Sequence, residues 1–371
     1  MGSRIEEEIL RRLPVKSLLR FKCVSESWKT LISEPHFKKK HLNHAKNQNP
    51  PKMLIGQTCP KDDTFYFYSS SLSSHRIVED VRNLDCPSNF VPGFCKIYCC
   101  CDGLFLIGID NTPNSSILLL WNPLTRESIV LPDQNKDSNY SIYGLGYDPI
   151  SDDYKVLKVE EDEDYENDED GEISNEILSL KSGSWREISD SNDKDYNCLS
   201  STDSMDCLAF VHGAFHWHGF TERNGFLFSV ISFNISNEQY GEIPLPERMC
   251  LPSDMIDHGV AVLGGMLSIN CVYCNGTNFF DLWVMKDYGV EESWIKLFTI
   301  TNARIPSIIP IVPKYMFADG EVLFSCGRRT EFMTSKGPYG FSNLIWSLAS
   351  DDIDTCGYVY TESLIFPEVN L

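Results

Sequence analysis

The sequence has 371 residues, enough for two domains or for one large repeat domain beside a small one. Hydrophobic residues make up 42% and charged residues 23%, an ordinary globular composition, and no apolar run is long enough to span a membrane. Lys+Arg is 32 against Asp+Glu 53, and the net charge of −21 excludes a surface built throughout to follow nucleic acid or anionic lipid.

Charge divides the chain. Residues 1–49 carry +6, residues 160–172 (EEDEDYENDEDGE) carry −10, and the remainder is diffusely acidic. The sign change, followed by Asn47-Gln48-Asn49-Pro50-Pro51, predicts a boundary near residue 48, because paired prolines stop a helix and favour extended chain. Glu6, Glu7 and Glu8 stand where the apolar core of a secretion signal belongs, so no leader is expected.

The N-terminal segment reads as three short helices. Ile5, Ile9, Leu10 and Leu13 form a helical stripe that Pro14 ends, and Pro14 can open the next helix. Val15, Leu18, Leu19 and Phe21 follow. Ser25 is a candidate N-cap for a third helix with Trp28, Leu31 and Ile32 on one face, stopped by Glu34-Pro35. The Lys38-Lys39-Lys40 run is then a solvated end of the third helix. Pro14, Val15, Leu18 and Trp28 exceed what three short helices can bury, so they either pack on the second domain or dock an external partner.

The run ILRRLPVKSLLRFKCVS over residues 9–25, with Trp28, Leu31-Ile32-Ser33, Pro35 and Phe37, closely resembles the F-box of plant F-box proteins. Met1–Arg4 does not supply the Leu-Pro pair with which the family usually opens, so either the first turn is trimmed or the start lies upstream. The resemblance implies binding to a Skp-type adaptor and, through it, a cullin. The residues it assigns to adaptor binding are Ile9, Leu13, Pro14, Val15, Leu18, Leu19, Cys23, Val24 and Trp28.

From residue 52 the pattern changes to short β-type runs separated by Gly, Pro, Asn, Asp and Ser clusters, such as Ile117–Trp121, Tyr154–Val159, Glu176–Leu180, Phe226–Phe233, Asp281–Met285 and Trp294–Ile300. A two-strand phrase recurs. Trp121–Arg126 leads to Ile129-Val130-Leu131-Pro132, and Phe233-Asn234-Ile235 leads to Ile243-Pro244. Ser179–Ile188 and Trp283–Leu297 repeat the idea. At roughly 40–50 residues per blade, such repeats predict a propeller of about six or seven blades. The phrases also resemble the F-box-associated, kelch-like region of plant F-box proteins, through Cys101-Asp102-Gly103-Leu104, Leu120–Thr125, Asp152–Val156 and Val211–Trp217 among others. The fold class is therefore mainly β: a helical F-box over 1–46, a linker over 47–51, and a β-propeller-like substrate-binding domain over 52–371.

Candidate chemistry is sparse. No Gly-x-Ser-x-Gly elbow, Walker-type loop, HExxH or sialidase-type Asp box occurs. Of 14 cysteines, only Cys271 and Cys274 form a CxxC pair, with no second pair to complete a zinc site. Reduced thiols packed as small apolar residues are expected, in the cytoplasm or nucleus. His212, His216 and His218 would share one strand face, and packing is favoured over a metal site. The acidic run is expected to be a solvated loop. No catalytic residue, cofactor or metal is assigned. The combined resemblance implies a substrate-recognition subunit of a Skp–cullin–F-box ubiquitin ligase recruiting an unidentified protein target, or alternatively an F-box/propeller protein that sequesters its target without degradation. Loops 133–141, 189–204 and 302–311 are the candidate target contacts.

Overall fold

A computed structural model describes residues 2–59, 64–72, 82–85, 94–112, 115–132, 141–160, 175–188, 198–199, 207–221, 227–246, 249, 255–274, 278–301, 311–326, 331–336 and 355–369. Its order is four helices followed by strands: a helical segment, then a β-propeller. The chain divides into two compact units, Met1–Leu131 with Cys356–Glu368, and Pro132–Thr355 with Val369–Leu371.

The helices are α1 (Gly2–Leu10), α2 (Val15–Phe21), α3 (Glu26–Ser33) and α4 (Pro35–Gln48). Pro14 stands at the N-cap of α2 with φ −58° and ψ 146°, a place where its missing N–H leaves no helical bond unmade. Ser25 Oγ accepts the Trp28 N–H at 3.2 Å, which satisfies one of the free amides of the first turn of α3. The fourth helix corrects the expectation of three. Pro35 ends α3 and occupies the first turn of α4, where its ring is pre-set for the helix. Phe37, His41, Leu42 and Ala45 bury one face of α4. The Lys38–Lys40 run thus lies inside α4 and not at the end of α3. Because α4 continues to Gln48 and the first strand starts at Lys52, only Asn49, Pro50 and Pro51 remain between them.

In the first unit, β1 (Lys52–Cys59), β2 (Thr64–Ser71) and β3 (Arg82–Leu84) form a sheet, followed by β4 (Phe94–Cys101), β5 (Leu104–Thr112), β6 (Ser115–Asn122) and β7 (Glu127–Val130) in a second. The second unit holds β8 (Ser141–Asp148), β9 (Asp153–Glu160), β10 (Glu176–Ser179) and β11 (Ser184–Glu187). Next come β12 (Cys198–Leu199), β13 (Ala209–Val211), β14 (Ala214–Thr221), β15 (Leu227–Asn234) and β16 (Tyr240–Ile243). Then follow β17 (Met255–Leu263), β18 (Met266–Cys274), β19 (Asn278–Met285) and β20 (Trp294–Thr301), and β21 (Ile311–Met316), β22 (Val322–Cys326) and β23 (Glu331–Ser335). The last strand, β24 (Thr355–Tyr360), returns to the first sheet beside β1, in the order β24-β1-β2-β3. The described residues thus form six antiparallel sheets, within the range the repeat length predicts. The first and last described strands, β1 and β24, thus share one sheet.

The recurring phrases are hairpins. Trp121 pairs with Ser128, Phe233 with Tyr240, Leu178 with Trp185, and Met285 with Trp294. The prolines that close them have a physical role, since Trp185 Nε1 donates to the Pro132 carbonyl (3.1 Å) and Trp294 Nε1 to that of Pro244 (2.9 Å). Neighbouring sheets share apolar cores. Leu157, Val159 and Ile177 pack with Phe215, Trp217 and Ile231, while Val230 and Ile243 pack with Ile269, Trp283 and Trp294. In the first unit, Phe67 meets Trp121 with ring centroids 4.9 Å apart, and Phe105 meets Tyr360 at 5.2 Å. Gly144 of β8 lies against Phe215, where an added Cβ would stand 2.6 Å from the ring, so the close approach excludes any side chain.

Candidate adaptor-binding surface on the N-terminal helices

The apolar residues of the helices separate into a core set and a surface set. Leu10, Val15, Leu18, Ile32 and Phe37 are buried in one cluster, joined from the propeller side by Leu364 and Leu124. Leu13, Leu19, Phe21, Trp28 and Leu31 are half-buried around it, with the Phe21 and Trp28 rings 5.3 Å apart. Ile5 (62% exposed), Ile9 (58%) and Val24 (63%) face outward, as do Pro14 and Cys23. Ile5 and Ile9 are one helical turn apart and share a face of α1.

The helices are fixed against one another by polar contacts as well. His41 of α4 donates its Nε2 hydrogen to the Leu13 carbonyl at 2.9 Å, which holds the turn between α1 and α2. Lys40 reaches Glu7 at 2.9 Å, and this contact holds the Glu7 carboxyl below the usual carboxylate range. Burial lowers the pKa of His41, so its imidazole is neutral at pH 7.

The residues assigned to the adaptor are therefore not equivalent. Ile9, Pro14, Cys23 and Val24 are exposed, Leu13, Leu19 and Trp28 offer one side, and Val15 and Leu18 are interior, at 1% and 0% exposure. Ile5 was not among them. The sequence pattern places Ile5 and Ile9 in one stripe with Leu10 and Leu13, and the structure splits that stripe, burying Leu10 and half-burying Leu13 while Ile5 and Ile9 face outward.

The histidines of 212–218 do not gather. His212 sits in the turn before β14 with φ 52°, its ring tilted against that of Tyr288 (centroids 4.7 Å apart), which corrects the expectation of one strand face. His216 bonds the Ala209 carbonyl (3.1 Å) and the Tyr288 hydroxyl (2.7 Å), while His218 lies edge-on to His258 (4.3 Å). Burial pushes the Cys271 thiol up to about 12, so it packs as an inert apolar group. The acidic run beyond Glu160 lies outside the described residues, as do loops 133–141, 189–204 and 302–311 apart from Ser141, Cys198, Leu199 and Ile311.

Residues 5–40 match the F-box domain, and residues 55–334 match the F-box associated beta propeller domain. An F-box/kelch-repeat protein of Arabidopsis thaliana is 28% identical over 97% of this chain and 94% of its own length. The F-box protein CPR1 of the same plant is 29% identical over 81% of this chain and 73% of its own. Among solved structures, TolB from Acinetobacter baumannii superposes with a TM-score of 0.50 at 11% identity, covering 83% of this chain and 66% of that one, a likeness of fold alone. A helical segment matching the F-box, followed by a matching propeller over most of the remaining length, makes this chain a member of the F-box proteins with an F-box-associated β-propeller domain.

Proposed function

We propose that this chain is the target-recruiting subunit of a Skp–cullin–F-box ubiquitin ligase, with the helices docking a Skp-type adaptor and the propeller holding a protein target. The observation that carries the reading is the exposure of Ile5, Ile9 and Val24 on a segment whose core is already filled by Leu10, Val15, Leu18, Ile32 and Phe37. Large apolar side chains left outside a complete core are typical of a protein–protein interface. The match of residues 5–40 to the F-box domain supports a Skp-type adaptor as the partner.

The role is geometric. Tethering a target near a ubiquitin-charged enzyme raises the local concentration of its lysines without any nucleophile or cofactor in this chain. Buried thiols such as Cys95, Cys99 and Cys271 fit a reducing compartment, so we place the protein in the cytoplasm or nucleus.

The test is capture. Tagged protein should retain a purified Skp-type adaptor and, through it, a cullin, and the double variant Ile9→Glu, Val24→Glu should lose both while its thermal unfolding stays unchanged. Wild-type protein that retains no adaptor under mild conditions overturns the proposal.

A further inference from the structure

Residues 361–369 follow β24 without regular structure, yet Ser363 and Leu364 are each only 1% exposed. A segment without regular structure is ordinarily exposed unless something ties it down. Here one side chain does most of the tying. Asn122, at the end of β6 and itself 1% exposed, donates both Nδ2 hydrogens to the carbonyls of Ser363 (3.2 Å) and Ile365 (2.8 Å). Its Oδ1 accepts the backbone N–H groups of Leu124 (2.9 Å) and Thr125 (3.2 Å). The amide thus grips two segments at once. The residues it positions, Leu124 in the turn and Leu364 in the tail, are the residues that reach from outside the helices into the helical core.

Two further contacts hold the tail to the turn between β4 and β5. Ser363 Oγ donates to the Asp102 carbonyl at 2.5 Å. Gly103, at φ 81°, lies so close that an added Cβ would stand 2.8 Å from both Ser363 Oγ and the Thr361 carbonyl oxygen. Only glycine fits such a left-handed, crowded position.

We propose that the C-terminal segment Thr361–Glu368 is a latch, held by Asn122, that seats the N-terminal helices on the blade of β4–β7 through Leu364 and Leu124, so that these helices are carried at one fixed attitude to that blade. Its bearing on ubiquitin transfer rests on the ligase reading above, because a rigid mount fixes where an adaptor bound to the helices stands. The latch itself does not depend on that reading. Asn122 and Leu364 are positioning residues in this scheme, since neither belongs to the exposed docking surface. Any modification or cleavage that removed the tail would loosen the helices and leave the exposed residues of α1 intact.

The test is amide hydrogen exchange on the full-length chain. Leu364→Ala and Asn122→Ala should each speed exchange across α1–α4 at least tenfold and leave β17–β20 at the wild-type rate. Leu364→Met, which preserves volume, should stay within about twofold of wild type. Unchanged exchange in α1–α4 for both alanine variants overturns the latch. So does equal acceleration at β17–β20, which would make these residues general stabilisers. Adaptor capture by the wild type, measured alongside, reports on the ligase reading separately, because its failure leaves the exchange result standing.

Discussion

Lys46, in the last turn of α4, places its Nζ 2.5 Å from Oδ1 of Asp102 in the turn between β4 and β5. The ammonium is half-exposed and the carboxylate only 10% exposed. Burial works against the charge on Lys46, but Asp102 outweighs it and raises the pKa. Asp102 also adopts φ 53°, a conformation that Asp and Asn tolerate better than other side chains. Position and backbone both suit this residue.

Removing one partner should therefore cost more than an ordinary surface pair. A double-mutant cycle with Lys46→Met and Asp102→Asn should give a coupling of about 1 kcal/mol, at the upper end for partly exposed pairs. Asparagine keeps the left-handed backbone, so the cycle isolates the charge. The coupling should shrink in 1 M salt, and a value that salt leaves unchanged would show that packing holds the two side chains together.

Acid should destabilise the protein in two steps. Burial lowers the pKa of His41, takes His216 to about 4 and takes His258 to about 3. A base whose folded pKa lies below its unfolded value contributes stability that is complete above the unfolded value, near 6.5, and fades as pH falls below it. For His41 the cause is concrete, since buried Nδ1 has no hydrogen-bond partner among the described residues to receive its N–H on protonation. Asp148 acts lower. Burial pushes its carboxyl up, but hydrogen bonds from Ser151, Ser236, Lys155 and the Ile150 amide win and hold it well below the usual range. Its contribution is complete above about pH 4 and is lost only below that. Denaturation midpoints should fall between pH 6.5 and 4, and His216→Gln with His258→Gln should flatten that slope. An unchanged slope in the double variant would mean that other groups set it.

Ser25 offers a smaller test. Its hydroxyl caps α3, so Ser25→Ala should cost about 1 kcal/mol and Ser25→Asp should restore most of it, read as exchange protection of the α3 amides. Equal protection in wild type and the alanine variant would show that tertiary packing alone fixes the start of α3.

These features were unequally visible in the sequence. The Ser25 cap, the hairpins of the Trp121–Leu131 type and the period change at residue 52 are local patterns, and local patterns survive in one dimension. Pro35 was misleading because proline is both a helix stop and a favoured first residue, and only the buried Phe37-His41-Ala45 stripe decides between them. Asn122 was visible only as part of a repeated phrase. Its partners Ser363 and Ile365 lie more than two hundred residues away, and no period or propensity joins them. The acidic run beyond Glu160 and, apart from Ser141, Cys198, Leu199 and Ile311, the three loops expected to contact a target lie outside the described residues.

The family motif also merges two roles that the fold separates, and this sets the sharpest comparison. Leu18 and Ile9 both lie in the stretch that resembles the F-box, but Leu18 is 0% exposed and Ile9 is 58% exposed. Leu18→Glu puts an unpaired carboxylate into the core shared by α1–α4, at a cost of roughly 3 kcal/mol or more, so it should unfold the helices and lose adaptor capture by that route. Ile9→Glu exchanges one solvated group for another and should shift stability by no more than about 0.5 kcal/mol, since surface changes away from special features are small. Its effect on capture is then a reading of the interface alone. Circular dichroism at 222 nm, taken beside adaptor retention, separates the two cases. If Ile9→Glu keeps both its helicity and full adaptor binding, the docking surface does not include the outer face of α1 and must be sought around Pro14, Cys23 and Val24.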